Sequence, residues 1–124
     1  RYFKKPDVTL MLNSITRHAV NDIERHFKNY KNLKLGIINL FKLKPLILSK
    51  KEKEMLKNTS KKIIICDNDY VDGLPSIISA KINKLTNCKI DLMGLPNKTA
   101  GHHSKNDVLP PNSSDIIKKI ETII

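Results

Sequence analysis

The chain is short and strongly basic, with 124 residues, 23 Lys and Arg, 12 Asp and Glu, and a formal net charge of +11. A chain of this length fits one domain with one hydrophobic core and is too short by itself for an elaborate enzyme. No segment approaches the roughly 18 uninterrupted apolar residues of a membrane helix. The N-terminal RYFKKPDV also lacks the apolar core of a secretory signal, so the sequence predicts a cytoplasmic protein without a membrane span.

Four apolar segments predict β-strands at a regular interval along the chain. They begin near Asp7, Lys34, Lys62 and Cys88, and the intervals of 27, 28 and 26 residues match one strand, loop, helix and loop. Strands that are apolar on both faces bury themselves only in a parallel sheet that helices cover on each side. The sequence therefore predicts the α/β class, as a three-layer α/β/α sandwich.

Each predicted strand is followed by a helical pattern. Apolar residues at every fourth position predict the first helix, over about residues 16–29: Ile15, Ala19, Ile23 and Phe27. Ser49 and Glu52 form an S-x-x-E capping box before a helix over 50–58, and a third helix is predicted over about 74–85. The last helix is predicted to begin near Ser113 or Ser114, with Asp115 in its first turn. Its predicted buried residues are Ile116, Ile117, Ile120 and Ile124.

The strand order predicts where a ligand crevice would open. Right-handed crossovers put the strand at 35–40 on one side of the strand at 8–13, and covering both faces requires the strand at 62–66 on the other side. In open parallel sheets, ligands bind beyond the carboxyl ends of the strands, where the strand order reverses. The residues predicted to line this crevice are Asn13, Ser14, Thr16, Asp67, Asn68 and Asp72.

No residues at this crevice complete a known catalytic set. The chain has only four glycines, and none forms a G-x-G-x-x-G or G-x-x-x-x-G-K loop. The polar turn DNDYVDG departs from calcium-loop spacing, and Ser14 lies outside a G-x-S-x-G elbow. A receiver or flavodoxin-like domain also fits less well, because the first strand ends in Asn13 and Ser14 rather than in an acidic pocket or a phosphate loop. The sequence thus predicts no catalytic, cofactor-binding or metal-binding residue in this chain.

The two cysteines are predicted to be buried, unreactive thiols. Cys66 falls at the end of one strand and Cys88 at the start of the next, so parallel pairing would hold them at opposite ends of the sheet. That separation argues against a disulfide, and neither cysteine has a metal-ligand spacing.

The positive charge is concentrated in the middle of the chain. Between Lys28 and Lys62, eleven lysines stand against Glu52 and Glu54. A basic surface is the electrostatic footprint of a nucleic-acid binder, so a basic α/β module of the anticodon-binding type is an alternative interpretation. The lysines are scattered, with almost no arginine and few aromatics among them, which favours a solvated face and argues against nucleic acid.

Several segments follow one another in a recognisable order. The strand LGIINLF leads to LKPL at residues 43–46, IIICDND runs into DGLPSII, and GLPNKTAG precedes LPPNSSDIIKKI. This order resembles the C-terminal domain of transketolase-like, thiamine-diphosphate-dependent enzymes, a superfamily with transketolase, the 2-oxo acid dehydrogenase beta subunit and deoxyxylulose-phosphate synthase. The resemblance implies a mostly parallel five-stranded sheet with a short antiparallel edge strand at residues 1–5. It also implies that the acidic residue at the position of Asp67 ends its strand.

The resemblance, which covers residues 1–124, implies a single noncatalytic domain cut from a longer polypeptide. In that family thiamine diphosphate, its magnesium ion and the catalytic groups belong to preceding domains, so we expect none of them in this chain. The parent enzyme would be a transferase or oxidoreductase that transfers a ketol unit or decarboxylates a 2-oxo acid. The expected partners are the preceding domains of the same polypeptide and a second copy in a homodimer, or a partner subunit.

Overall fold

The computed structural model describes residues 2–13, 19–30, 32–40, 48–70, 74–95 and 112–124. Within these ranges strands and helices alternate along the chain. The strands are β1 (Val8–Asn13), β2 (Leu35–Leu40), β3 (Lys62–Tyr70) and β4 (Ile90–Leu95). The helices are α1 (Val20–Phe27), α2 (Lys50–Asn58), α3 (Leu74–Ile82) and α4 (Ser113–Ile123). None of these helices is long and apolar enough to cross a membrane.

The described strands form one parallel sheet in the order β2-β1-β3-β4. Val8 at the start of β1 lies opposite Leu35 of β2 and Lys62 of β3. The predicted placement of the second and third strands on either side of the first is therefore confirmed. Because the order reverses between β1 and β3, their carboxyl ends mark the switch point of the sheet.

Helices cover both faces of this sheet, and each face has its own apolar cluster. On one face α1 and α4 bury Ile23, Phe27, Ile116 and Ile120 against alternate residues of the strands. On the other face α2 and α3 bury Met55, Leu56, Ile78 and Ile82. Alternation along β1 supplies both clusters, with Leu10 and Leu12 on the first face and Met11 on the second. The predicted three-layer α/β/α sandwich is confirmed.

The helix ends largely follow the predicted caps. Ser49 accepts a hydrogen bond from the Glu52 amide, and the Glu52 carboxylate accepts one from the Ser49 amide, so the predicted capping box is present. A second capping box, which was not predicted, joins Asn112 and Asp115 at the start of α4. Within the predicted range 16–29, α1 spans Val20–Phe27, and residues 14–18 lie outside the described part.

Two details of the prediction are wrong. Residues 2–5 form no strand, so the described sheet has four strands rather than five. The segment instead leads directly into β1. Its Lys4 and Pro6 carbonyls accept hydrogen bonds from the Asn58 side chain and the Ser60 amide. Proline has no N–H group to donate to the hydrogen-bond ladder of a sheet, so Pro6 does not favour a strand here. Ile124, predicted to be buried, is 43% exposed because α4 ends one residue before it.

Candidate functional site

A buried polar pair occupies the switch point between β1 and β3. Leu12 of β1 lies opposite Cys66 of β3, so the next residues, Asn13 and Asp67, follow side by side at the carboxyl edge. The Asn13 side-chain amide donates a hydrogen bond of 3.2 Å to the Asp67 carboxylate. Only 8% of Asn13 and 1% of Asp67 is exposed, so this amide donor is shielded from competition by water.

The end of β3 is irregular at this point. Cys66 pairs with Met93 of β4, whereas the next pair joins Tyr70 to Leu95, so four residues of β3 match two of β4. Such bulges change the direction of side chains and are frequent beside functional sites. The strand continues to Tyr70, so Asp67 does not end it and residues 67–70 are strand rather than the predicted polar turn. Residues 71–73 of that turn lie outside the described part.

The rest of the predicted crevice is described only in part. Ser14, Thr16 and Asp72 lie outside the described residues. Asn68 belongs to β3, but its side chain is not among those the structure describes. The structure therefore brings together Asn13 and Asp67, and a ligand crevice formed by all six residues stays a prediction.

Sequence reasoning missed one further polar group near this edge. Asn39 lies on β2 opposite Leu12, and its side-chain oxygen is buried and accepts no hydrogen bond from the residues that the structure describes. A buried carbonyl oxygen without a donor is unusual, because leaving it without a hydrogen bond costs free energy. The sequence feature that could have identified this group is a single amide residue, Asn39, inside the apolar segment LGIINL.

The chemistry available at the carboxyl edge is limited. Burial, together with the charge of the neighbouring Asp67 carboxylate, raises the pKa of the Cys66 thiol to about 12, so the nucleophilic thiolate is scarce at neutral pH. No three His, Cys, Asp or Glu residues among those described lie close enough to hold a metal ion. These described residues therefore form no ligand set for a magnesium diphosphate group, and the pair of Asn13 and Asp67 can hold two strands together or orient one carboxylate.

The two cysteines are separate thiols, as predicted. Both are free, Cys66 in the core and Cys88 half-buried before β4. Burial also raises the pKa of Cys88, although the nearby Lys62 charge opposes this rise.

A pocket lies at the opposite, amino edge of the sheet and was not predicted. It has a volume of about 470 Å³. Its lining residues precede strands or follow helices: Asp7, Tyr30, Asn32, Leu33, Lys61 and Ile124. In parallel sheets the starts of all strands meet at one edge. The sequence feature that could have indicated a site at this edge is a lysine directly before each of three strands, at Lys34, Lys61 and Lys89.

Two polar clusters tie α4 to the rest of the domain. Glu121 accepts a hydrogen bond from the Tyr30 hydroxyl at 3.1 Å and lies 3.3 Å from the His26 ring nitrogen. The hydrogen bond to Glu121, together with burial and the carboxylate charge, raises the pKa of Tyr30. These contacts place Tyr30 at the rim of the amino-edge pocket.

The second cluster centres on Asp91 of β4. Its carboxylate lies 3.0 Å from the Lys119 ammonium and 3.3 Å from that of Lys62. Burial raises the pKa of Asp91, but the hydrogen bonds and charges of the two lysines outweigh it, so the pKa is held below its ordinary value. The cluster is a half-buried ion pair between the sheet and α4.

Comparison with known proteins identifies the fold. No protein-family model and no curated protein matches the sequence. Among solved structures, a split-gene transketolase chain, described as an inactive beta4 tetramer, is similar with a TM-score of 0.68 and 14% identity. The similarity covers 96% of this chain and 38% of the transketolase chain. The chain therefore has a transketolase-like α/β fold that spans about two-fifths of that protein's length.

Proposed function

We propose that this chain is the C-terminal, noncatalytic domain of a transketolase-like, thiamine-diphosphate-dependent enzyme, and that it contributes subunit and domain contacts. The observation that carries the proposal is the structural similarity over 96% of the chain to a transketolase chain that is much longer. The order of segments from LGIINLF to LPPNSSDIIKKI supports the same assignment. The parent enzyme would transfer a ketol unit or decarboxylate a 2-oxo acid.

The limited chemistry of the carboxyl edge supports a noncatalytic role. The buried amide of Asn13 and carboxylate of Asp67 bind each other, and the adjacent Cys66 thiol has a pKa of about 12. Neither arrangement supplies a nucleophile beside a base, which covalent catalysis requires. Thiamine diphosphate and magnesium would bind in the preceding domains of the parent polypeptide.

The outer face of α3 is the surface we assign to subunit or domain contact. Ile77 is 53% exposed, and Ser76 and Ala80 beside it are also exposed. Lys81 is the one charged residue in this helix of nine residues. Ile77 and Ala80 give this face an exposed apolar strip, and an apolar strip on a helix is usually covered by another element. In a homodimer or a multidomain chain, that element would belong to a second copy or to a preceding domain.

The first experiment tests the absence of cofactor binding. Thiamine diphosphate with Mg²⁺ is titrated calorimetrically into the 124-residue chain. We expect no heat of binding, because the described residues offer no magnesium ligand set. Saturable, tight binding of the cofactor by the chain alone would contradict the proposal.

The second experiment tests the role in assembly. In a chimera, this chain replaces the matching 38% of the split-gene transketolase chain, and sedimentation equilibrium measures the oligomer. We expect the chimera to assemble where the deletion without a replacement does not. Ile77→Glu should weaken assembly, whereas Thr122→Glu on the exposed side of α4 introduces the same charge and should not. A folded chimera that stays monomeric would refute the role in subunit contact.

A further inference from the structure

Six exposed lysines surround the segment that leads into β1. They are Lys4, Lys5, Lys51, Lys53, Lys57 and Lys61, and together they are named the basic surface. In the sequence these residues are split between the N-terminus and the region of α2, more than forty positions apart. The fold brings the two groups together.

Direct contacts align the N-terminal segment with α2 and the start of β3. The Lys51 ammonium lies 5.6 Å from the centre of the Tyr2 ring, within range of a cation–π interaction. The Asn58 side chain donates to the Lys4 carbonyl at 3.3 Å, and the Ser60 amide donates to the Pro6 carbonyl at 3.0 Å. Residues 2–6 therefore run beside α2 and the start of β3, which brings Lys4 and Lys5 close to the lysines of that region.

The six lysines of this surface outnumber the nearby carboxylates of Asp7, Glu52 and Glu54, so the surface keeps an excess of positive charge. None of the six lysines forms an ion pair with a described residue. The nearby carboxylates of Glu52 and Asp7 accept hydrogen bonds from the backbone amides of Ser49 and Lys34. A cluster of unpaired lysines favours a polyanionic partner, because binding releases the counterions of that partner.

Two exposed tyrosines flank the same surface. Tyr2 is 44% exposed beside Lys51, and Tyr30 is 40% exposed at the amino-edge pocket, which Lys61 also lines. The pocket of about 470 Å³, which Tyr30 and Lys61 line, has the size of a small-ligand site. Exposed aromatic rings beside a positively charged surface are an arrangement on which single-stranded nucleic acids stack their bases. An acidic protein partner could bind the lysines without contacting the tyrosine rings.

We propose that the basic surface and the amino-edge pocket bind single-stranded nucleic acid. The lysines contact phosphates as point charges without reading sequence, and the rings of Tyr2 and Tyr30 stack against bases. The site lies at the amino edge of the sheet, opposite the pair of Asn13 and Asp67. Loss of this binding would leave the proposed role in an enzyme assembly unaffected, since the two roles use different surfaces.

Fluorescence anisotropy with a labelled oligouridylate of about 12 nucleotides tests the proposal, since known single-strand sites span roughly 4–16 nucleotides. With about four phosphate contacts at roughly 0.7 log units each, affinity should fall about fiftyfold between 50 and 200 mM salt. Lys57→Gln combined with Lys61→Gln should remove two contacts, which makes the salt slope shallower by about 1.4 and weakens binding about 25-fold at 0.1 M salt.

The matched control combines Lys81→Gln with Lys118→Gln, two exposed lysines on α3 and α4 that make no ion pair with a described residue. This variant should bind almost as the unchanged protein does. Tyr2→Leu and Tyr30→Leu should each weaken binding at least about fivefold without changing the salt slope, because stacking releases no counterions.

Three results would overturn the proposal. The first is no saturable binding at 50 mM salt. The second is equal weakening by the two lysine pairs, which would show that only overall charge matters. The third is competition by polyglutamate as strong as that by oligouridylate, with both tyrosine variants silent, which would assign the basic surface to an acidic protein partner.

Discussion

Replacement of two buried threonines tests the direction of a hydrogen-bond relay between β1 and the end of α2. The Thr59 hydroxyl donates its proton to the Met55 carbonyl at 2.6 Å, and its oxygen lies 2.7 Å from that of Thr9. A hydroxyl has one proton, so Thr9 must be the donor to Thr59. Thr9 is fully buried and Thr59 is 7% exposed. The two positions therefore differ in what each substitution leaves behind.

Valine has the shape of threonine without its hydroxyl, so the substitutions isolate the hydrogen bonds. Thr9→Val removes one hydrogen bond, and Thr59 still donates to the Met55 carbonyl. This substitution should therefore lower the free energy of unfolding by about 1 kcal/mol. Thr59→Val leaves the buried Thr9 hydroxyl without an acceptor and the Met55 carbonyl without this donor, which should cost about 2–4 kcal/mol. The double variant should be no less stable than Thr59→Val alone, because it also removes the orphaned hydroxyl.

Urea unfolding followed by circular dichroism measures these differences. With a slope of about 1.5 kcal/mol per molar of urea, the midpoint should fall by about 0.7 M for Thr9→Val and by about 1.3–2.7 M for Thr59→Val. Thr122→Val is the matched control, since that exposed hydroxyl also donates to a backbone carbonyl at 2.6 Å and its loss should cost little. Equal costs at Thr9 and Thr59, or strict additivity in the double variant, would refute the relay.

Four further substitutions or reactions follow from the described contacts. Asn13→Ala should cost about 1–3 kcal/mol, measured by urea unfolding, because Asp67 loses a buried amide donor; an unchanged midpoint would contradict this. Asp91→Asn should cost roughly 0.5–1 kcal/mol at pH 7, a small value because the ion pair is partly exposed. The native pKa of Asp91 is lowered from 3.8, so its contribution to stability is present above that pH and is lost as the pH falls through the native pKa. The stabilities of the Asp91→Asn variant and the unchanged protein should therefore become equal in acid. Cys66 should resist a thiol reagent at pH 8 until the chain unfolds, and native labelling of that residue would refute its burial. Ser49→Ala should cost about 1 kcal/mol in the same unfolding assay, through loss of the α2 cap, and a neutral substitution would contradict the capping box.

Much of the architecture could be predicted from local patterns. The spacing of apolar segments predicted a parallel α/β sandwich, and chain handedness predicted that β1 lies between β2 and β3. The capping box at Ser49 predicted the start of α2 correctly. These features depend on short-range periodicity and on connection geometry, which act within one strand–helix unit. The same reasoning placed Asn13 beside Asp67 at the switch point.

The sequence by itself thus determined the fold class, the order of the first three strands and the polar character of the carboxyl edge. Only the tertiary structure decided which distant residues meet: the N-terminal lysines with those of α2, and Tyr30 with Lys61 at one pocket. Scattered lysines in the sequence looked like a general solvated surface, yet parallel strands bring their starting residues to a single edge. Such contacts depend on register and packing between units, and no local pattern in the chain encodes them.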